Sequence, residues 1–517
     1  MSIFEDKPKD IAGSDTNESS ELGGDIRDTD HTLEVLGYVP ELKRNRSLIT
    51  LLFQSLAIAA IPYGEGGPLL SSIYGGGQRS IFIGWLAVLV LDECIALSLS
   101  ELASRYPTSA GPYYWSFQIA QKHKVILSFV TGWVWLIGNW TITLSVNFGF
   151  ASLIAATVSL FHPTWVATDW QLVLIFYAVC LLAFVIVAFG NRFLPQIDIV
   201  CAGWTALTII IIMIALSVKA GAGRHSISYA LTHYDTSLAG WGEFTFFIGL
   251  LPVAYCFSAI GMISSMAEEV ANPAVIVPRA ISLCVPVGGI AGLFFIIPIC
   301  VTLPPLLDII EQAPGGQALP YIFSVVMDSP GGALGLMTLV LIVTLFCSIS
   351  ITTAASRTTW AFARDDAIPL ASVWARVNKK LGVPVYALAL VTLVEMLLGI
   401  INIGSSSAFT AFVSVGVIAL AVSYAMPIGI SVWYGRREVL QAQWNLGRVI
   451  GPVVNSIALV WIAFELVLFS MPTALPVTAT SMSYASVVFA GFLVLSAVWY
   501  VVYARKSYKG PPASDGI

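Results

Sequence analysis

The chain has 517 residues, 57% of them hydrophobic and only 11% charged, with a formal net charge of -5. Soluble domains carry about 25% charged residues, so a water-soluble enzyme or binding module is excluded and a polytopic membrane protein is the class that fits. The acidic excess lies in the first forty residues, which hold ten acids and three bases and few apolar side chains; they read as a solvated, disordered tail with no signal-peptide pattern.

Twelve apolar stretches follow, at 48–74, 81–103, 126–160, 171–190, 197–218, 244–267, 281–303, 333–362, 384–403, 408–434, 453–472 and 483–504. Most reach the roughly 20 residues that a helix needs to cross a bilayer. Those at 126–160 and 333–362 are longer and are expected to tilt or to extend past the membrane. With the N-terminus inside, the outer loops hold only Arg79, Lys219 and Arg224 of the twenty-five basic residues. Lysine and arginine mark the cytoplasmic side, so both termini are expected there. The expected plan is a disordered cytoplasmic tail over 1–46, a ten-helix core over 47–434, two further spans over 435–505 and a short cytoplasmic tail over 506–517.

Span one is interrupted at Ile61-Pro62-Tyr63-Gly64-Glu65-Gly66-Gly67-Pro68. Hydrocarbon offers no hydrogen-bond partner to replace a broken helical one. Three glycines and two prolines inside a span therefore destabilise it unless the unwound backbone lines a polar cavity. A proline kink alone would leave Glu65 unexplained. Pro68 is placed to open a new half-helix, whose free N–H groups attract anions. Carbonyls ending the preceding half-helix would receive an ammonium group. Glu65 admits three readings beside these groups. Ionised, it attracts a cationic substrate. Protonated, as burial favours for a carboxyl, it carries a coupling proton. Facing an outer vestibule, it is simply hydrated.

Span six is interrupted too, around Pro252 and Gly261, with the small residues Ser258 and Ala259 between. Spans one and six hold the same place in two five-span halves. Paired breaks at matching positions point to an inverted-repeat transporter with its site at the bilayer midplane. The expected fold is all-α, with twelve transmembrane helices in a five-plus-five inverted repeat and two C-terminal helices.

The loop after span two, Ser98-Leu99-Ser100-Glu101-Leu102-Ala103-Ser104-Arg105-Tyr106-Pro107-Thr108-Ser109-Ala110-Gly111-Pro112-Tyr113-Tyr114-Trp115, resembles that of the amino acid–polyamine–organocation superfamily, and within it the fungal amino acid/choline permeases. Met266-Ala267-Glu268-Glu269-Val270-Ala271-Asn272-Pro273 and Ala355-Ser356-Arg357-Thr358-Thr359-Trp360-Ala361-Phe362-Ala363-Arg364-Asp365-Asp366 agree. The likeness extends over about residues 40–505. It implies secondary active uptake of a small amine or amino acid such as choline or GABA, commonly driven by protons. It maps the substrate site onto Ile61, Pro62, Tyr63, Gly64, Glu65, Gly66 and Gly67 and onto Phe257, Ser258, Ala259, Ile260 and Gly261. Some bacterial relatives use a lysine in span five for proton coupling; here that span has none and opens with Asp198. The proton-coupling candidates are therefore Glu65 and Asp198.

Other residues fit the same scheme. Asn139, Trp140 and Thr143 of span three, with Ser348 and Thr352 of span eight, could line the cavity, although most tryptophans in such proteins are packing residues. Glu268, Glu269, Arg357 and Arg364 are candidates for a cytoplasmic gate, against the alternative of solvated helix-end charges. Asp92 and Glu93 inside span two are read as having buried partners, and Glu465, outside the ten-helix core, as structural. The seven cysteines show no ligand spacing, so no metal, disulfide or cofactor is expected, and no nucleophile–base constellation suggests an enzyme. The expected partners are a small-molecule substrate, a coupling proton and the lipid bilayer, with no nucleic acid. Lys7 and Lys9 are possible contacts for a ubiquitin ligase. A non-transporting nutrient sensor on the same fold, or an exchanger, is the alternative. Plasma membrane is the expected location, with vacuole or another endomembrane as the other choice.

Overall fold

The computed structural model describes residues 33–162, 164–404, 406–478 and 482–514, which form helices and connecting turns with no β-strand among them. Eleven helical segments are long and apolar enough to cross a membrane. Spans two to six are Gln78–Arg105, Lys124–Ser159, Asp169–Phe189, Asn191–Lys219 and Gly242–Glu269. Spans seven to nine are Pro273–Thr302, Pro330–Arg364 and Val385–Gly404. Spans ten to twelve are Ser414–Trp433, Gly447–Leu468 and Ala485–Ser507. Span one is the twelfth stretch, shortened by its break to Leu48–Gly64 and continued by Leu69–Tyr74. The protein is thus an all-α, multi-pass integral membrane protein. Spans three and eight have 36 and 35 residues. At 1.5 Å per residue they run about 54 Å, well beyond the roughly 30 Å hydrocarbon core, as their sequence stretches predict.

Span one packs on span six, two on seven, three on eight and four on nine. Each meets its counterpart five positions further along, the pairing that a two-fold relation between five-span halves produces. Spans eleven and twelve pack on span ten, and span eleven also lies along span two. The helices Leu306–Gln312 and Ala318–Met327 lie in the connection between spans seven and eight, on the face away from the termini. Leu319 of the second lies against Gly66 and so covers the break in span one.

The expected disordered tail over 1–46 needs correction in its last part. Leu33, Leu36, Tyr38 and Leu42 are buried, and the Tyr38 hydroxyl donates to Asp365 at 2.9 Å. The Tyr114 hydroxyl donates to the Leu36 carbonyl at 2.9 Å, and Arg44 to the Val270 carbonyl at 2.8 Å. These few apolar side chains suffice to dock the segment beneath the helix Pro112–Ile119, however acidic its surroundings. The end of the chain docks beside it: Tyr508 is buried against Ser128 (2.8 Å), and Gln118 donates to the Pro512 carbonyl (2.7 Å). The stretch 1–32, with Lys7 and Lys9, lies outside the described residues.

Candidate functional site: a cavity between two broken helices

The first half of span one, Leu48–Ala59, is capped by Ser47, whose hydroxyl accepts from the Thr50 amide while its own N–H donates to the Thr50 hydroxyl. Its 12 residues carry the chain about 18 Å, half-way through a membrane. There Ala60 turns left-handed (φ 43°) and its N–H closes on the Leu56 carbonyl. A single turn, Ile61–Gly64, follows before the backbone unwinds again. In span six the helix Leu251–Phe257 ends at Ser258-Ala259, and a tight 3₁₀ stretch, Ile260–Glu269, runs on toward the face bearing the termini. Ten residues of 3₁₀ helix is long for this geometry and marks a hinge-like segment.

The two breaks meet at one cavity. Ile58, Ala59, Tyr63 and Gly64 line it from span one, and Tyr255, Cys256, Ser258 and Ala259 from span six. Ile142 and Val146 of span three and Cys347 and Ile351 of span eight close it. Gly64 is required here, because a Cβ at this position would run into the Ala59 carbonyl and the Cys256 sulfur. The cavity measures about 10 Å³. That is room for one water at most, against about 300 Å³ or more for a small-molecule site. Spans one and six must therefore move apart from three and eight before a solute fits.

The cavity is lined by carbonyls, hydroxyls and thiols and by no Asp, Glu, His, Lys or Arg side chain. Cys347 donates to the Ile58 carbonyl (3.2 Å) and Cys256 to the Ala59 carbonyl (3.3 Å), both at the C-terminal, partially negative end of the first half-helix. The Tyr63 hydroxyl donates to the Val146 carbonyl at 3.2 Å, and the Tyr255 hydroxyl meets Ser145 at 2.9 Å. Two tyrosine rings beside a helix C-terminus suit an ammonium group, through ring faces and carbonyls together.

The structure distributes the residues expected from sequence as follows. Tyr63, Gly64, Ser258 and Ala259 line the cavity; Ile61, Pro62, Glu65, Gly66 and Gly67 do not. Pro68 does cap a helix, Leu69–Tyr74, but the break that opens onto the cavity is the earlier one, at Ala60. Phe257 and Ile260 face a second small cavity, and Gly261 lies against Tyr424. Glu65 is completely buried, close to Cys256 and Cys300, with no hydrogen-bond partner for either carboxyl oxygen. Its hydrated-vestibule reading is thereby overturned.

The five polar candidates of spans three and eight also miss the cavity. Asn139 donates to the Trp135 carbonyl and accepts from Thr358, Trp140 donates to Thr359, and Thr143 donates to the Asn139 carbonyl. Ser348 donates to Asn147 at 2.6 Å, and Asn147 in turn to Glu395 at 2.7 Å. Thr352 is buried with its hydroxyl unpartnered. Ile142, Cys347 and Ile351 each stand one residue before an expected residue, a rotation of about 100° around the helix. Most polar side chains of this cavity, Tyr63, Tyr255, Cys256 and Ser258, come from spans one and six, with Cys347 from span eight.

At the face bearing the termini, buried charges tie several spans together. Glu269, ending span six, accepts from Arg357 of span eight at 2.8 Å and from Arg46 before span one at 3.0 Å. Arg46 reaches on to Asp198 of span five at 2.9 Å. Arg357 also donates to Asn191 at 2.8 Å. Glu268 receives both terminal nitrogens of Arg364 at 3.0 Å and the Ser109 amide at 3.2 Å. The four gate candidates are therefore together in space, and Asp198 belongs with them rather than with the cavity. Arg46 and Asp198 could have been added to this group only by knowing the docking of the segment before span one.

Asp365, one residue past span eight, accepts from the Tyr38 and Tyr113 hydroxyls at 2.9 and 2.7 Å. Burial pushes its carboxyl from the ordinary 3.8 up to about 6, with Arg364 and the two hydroxyls pulling the other way. A raised folded-state value means that the folded protein holds this proton more tightly than the unfolded chain. Its contribution is therefore full below about 4 and lost as pH rises through about 6. The melting temperature is expected to fall over that window, and Asp365→Asn to flatten the dependence.

Paired broken helices around a midplane cavity, closed on one side by buried ion pairs, define a membrane permease rather than an enzyme. The sequence matches the amino acid permease family over residues 47–493, and the chain belongs to that family. It is 32% identical to a rice protein described as an amino-acid permease BAT1 homolog, over 95% of this chain and 97% of that one. It is 30% identical to the polyamine transporter TPO5 of Saccharomyces cerevisiae (86% and 72% of the two chains). It is 26% identical to the choline transporter of the same yeast (92% and 84%).

Proposed function

We propose that this protein takes up a small solute bearing an ammonium group, an amine such as choline or an amino acid such as GABA, by proton-coupled alternating access. The observation that carries this reading is the cavity shared by the two breaks, where helix-end carbonyls and the Tyr63 and Tyr255 rings converge with no cationic side chain among the lining residues. Such a site attracts a cation and gives a lone anion little. Relatives named for amino acids, a polyamine and choline share the ammonium as their common chemistry. Loading requires the cavity to widen, and release requires the Glu269–Arg357 and Glu268–Arg364 pairs to part; both are motions of span six against span eight. The basic residues favour a cytoplasmic side for the termini, and uptake favours the plasma membrane.

The test is uptake of labelled choline, GABA, a polyamine and an amino-acid panel into permease-deficient cells at two pH values. Saturable uptake of at least one ammonium solute, stronger at the lower external pH, is expected. No uptake of any of them by protein shown to be at the surface overturns the reading. Glu65→Gln addresses the carboxyl behind the cavity. Because Glu65 has no partner to lose, the variant is expected to fold normally, and its pH profile tests whether this carboxyl takes part in coupling. An unchanged profile removes Glu65 from the coupling scheme.

A further inference from the structure

Behind the break in span six lies a second small cavity that the transport scheme above leaves unused. Asp92 from the middle of span two and Glu465 from span eleven both face it, with Ser258 and Phe257 of span six and Tyr424 of span ten. Asp92 and Glu465 are 2% and 5% exposed. One oxygen of Asp92 accepts from the Trp461 indole at 2.7 Å; the other is buried with no hydrogen-bond partner. The two acids act electrostatically on one another.

The surroundings hold nothing to balance two negative charges. Neither acid forms an ion pair among the described residues. The titratable groups near them are Cys256 of span six, Tyr424 of span ten, and Glu93 and Cys94 of span two, all acids themselves. The Tyr424 hydroxyl is engaged elsewhere, donating to the Ser258 carbonyl (3.1 Å) and accepting from the Gly261 amide (3.2 Å). Two carboxylates at membrane depth with no cation cannot both stay ionised without a cost of several kcal/mol.

We infer that Asp92 and Glu465 form a proton-binding pair that carries the coupling proton. This rests on the transport reading and names the ion site for it. The geometry supplies the link to substrate. Ser258 lines both this cavity and the central one, so only the unwound backbone of span six separates solute from proton. Tyr424 clamps that same backbone on either side of the break. Movement of span six to admit a solute necessarily changes the hydration and shape of the acid pair, and proton loss from the pair changes the support under span six. Glu65 lacks this connection: it has no like partner and does not line either cavity. Span eleven, outside the ten-span core, thereby has a part in coupling.

The experiment uses the full chain in liposomes, with a transported solute from the uptake panel. Wild type, Glu465→Gln and Asp92→Asn are compared in two assays: solute counterflow at equal pH, and proton entry accompanying solute, read by an internal pH dye. Glu465→Gln leaves Asp92 its Trp461 donor and is the variant expected to fold best, so it decides the matter where Asp92→Asn is unstable. The expected result is counterflow in Glu465→Gln with solute-linked proton entry abolished and no uphill accumulation in a pH gradient. Proton entry per solute equal to wild type in Glu465→Gln overturns the proposal. Wild-type accumulation that follows sodium or potassium instead of protons overturns it in favour of a metal cation. Wild-type protein without counterflow overturns the transport reading, and the pair's role with it.

Discussion

Arg357→Ala is expected to be among the most damaging single substitutions, lowering stability by about 3–5 kcal/mol. Arg357 is fully buried and serves three partners at once, Glu269 at 2.8 Å, Asn191 at 2.8 Å and Ser356 at 3.0 Å. Its removal leaves Glu269 with Arg46 alone, and Arg46 is already shared with Asp198. Three charged groups then remain where four balanced, with a net negative charge out of reach of water. The penalty comes from that uncompensated charge rather than from the lost bond itself. Two measurements separate folding from gating. In detergent, Arg357→Ala is expected to melt well below wild type, and the double variant Arg357→Met, Glu269→Gln to recover most of the loss, since it removes opposite charges together. In cells, the double variant is expected to remain defective in net uptake, because spans six and eight no longer latch. Recovery of both stability and uptake would show that the pair is structural only.

Much of this architecture was legible in the sequence because its constraints come from the membrane. Twelve apolar stretches had to be spans, and Pro62, Gly64, Gly66 and Gly67 could not sit in an ordinary one. The acid and arginine clusters at Glu268-Glu269 and Arg357 to Arg364 were visible for the same reason, since charges beside hydrocarbon need partners. Three things were not legible. The packing face of spans three and eight was misjudged by one residue, because a helix hydrophobic on most sides carries little phase information and the polar residues Thr143, Ser348 and Thr352 instead bond or face helix neighbours. The position of Glu65 depended on a side-chain direction within an unwound segment, which no periodicity fixes. The docking of 33–46 was hidden by composition: ten acids in the first forty residues outweigh four buried apolar side chains in any average. Asp92 and Glu465 come together only because span eleven lies along span two, a contact between segments more than three hundred residues apart.

Gly261→Val is expected to reduce transport by about thirtyfold or more while leaving the ion-pair network intact. Gly261 is not in a left-handed conformation; the constraint is the Tyr424 ring, which a Cβ would strike directly. The displaced ring takes its hydroxyl away from the Ser258 carbonyl and the Gly261 amide. Each buried backbone group so abandoned costs about 1–3 kcal/mol, and 1.4 kcal/mol is about a factor of ten. Those groups belong to the unwound stretch between the two cavities, so the loss falls on the element that must move. Tyr424→Phe removes the same two hydrogen bonds with no added volume and is expected to impair transport in the same direction, with normal abundance. Gly261→Val combined with Tyr424→Ala restores space but not the bonds, so abundance is expected to recover further than transport. If Tyr424→Phe transports like wild type, the hydroxyl clamp is dispensable, and the effect of Gly261→Val is one of volume alone.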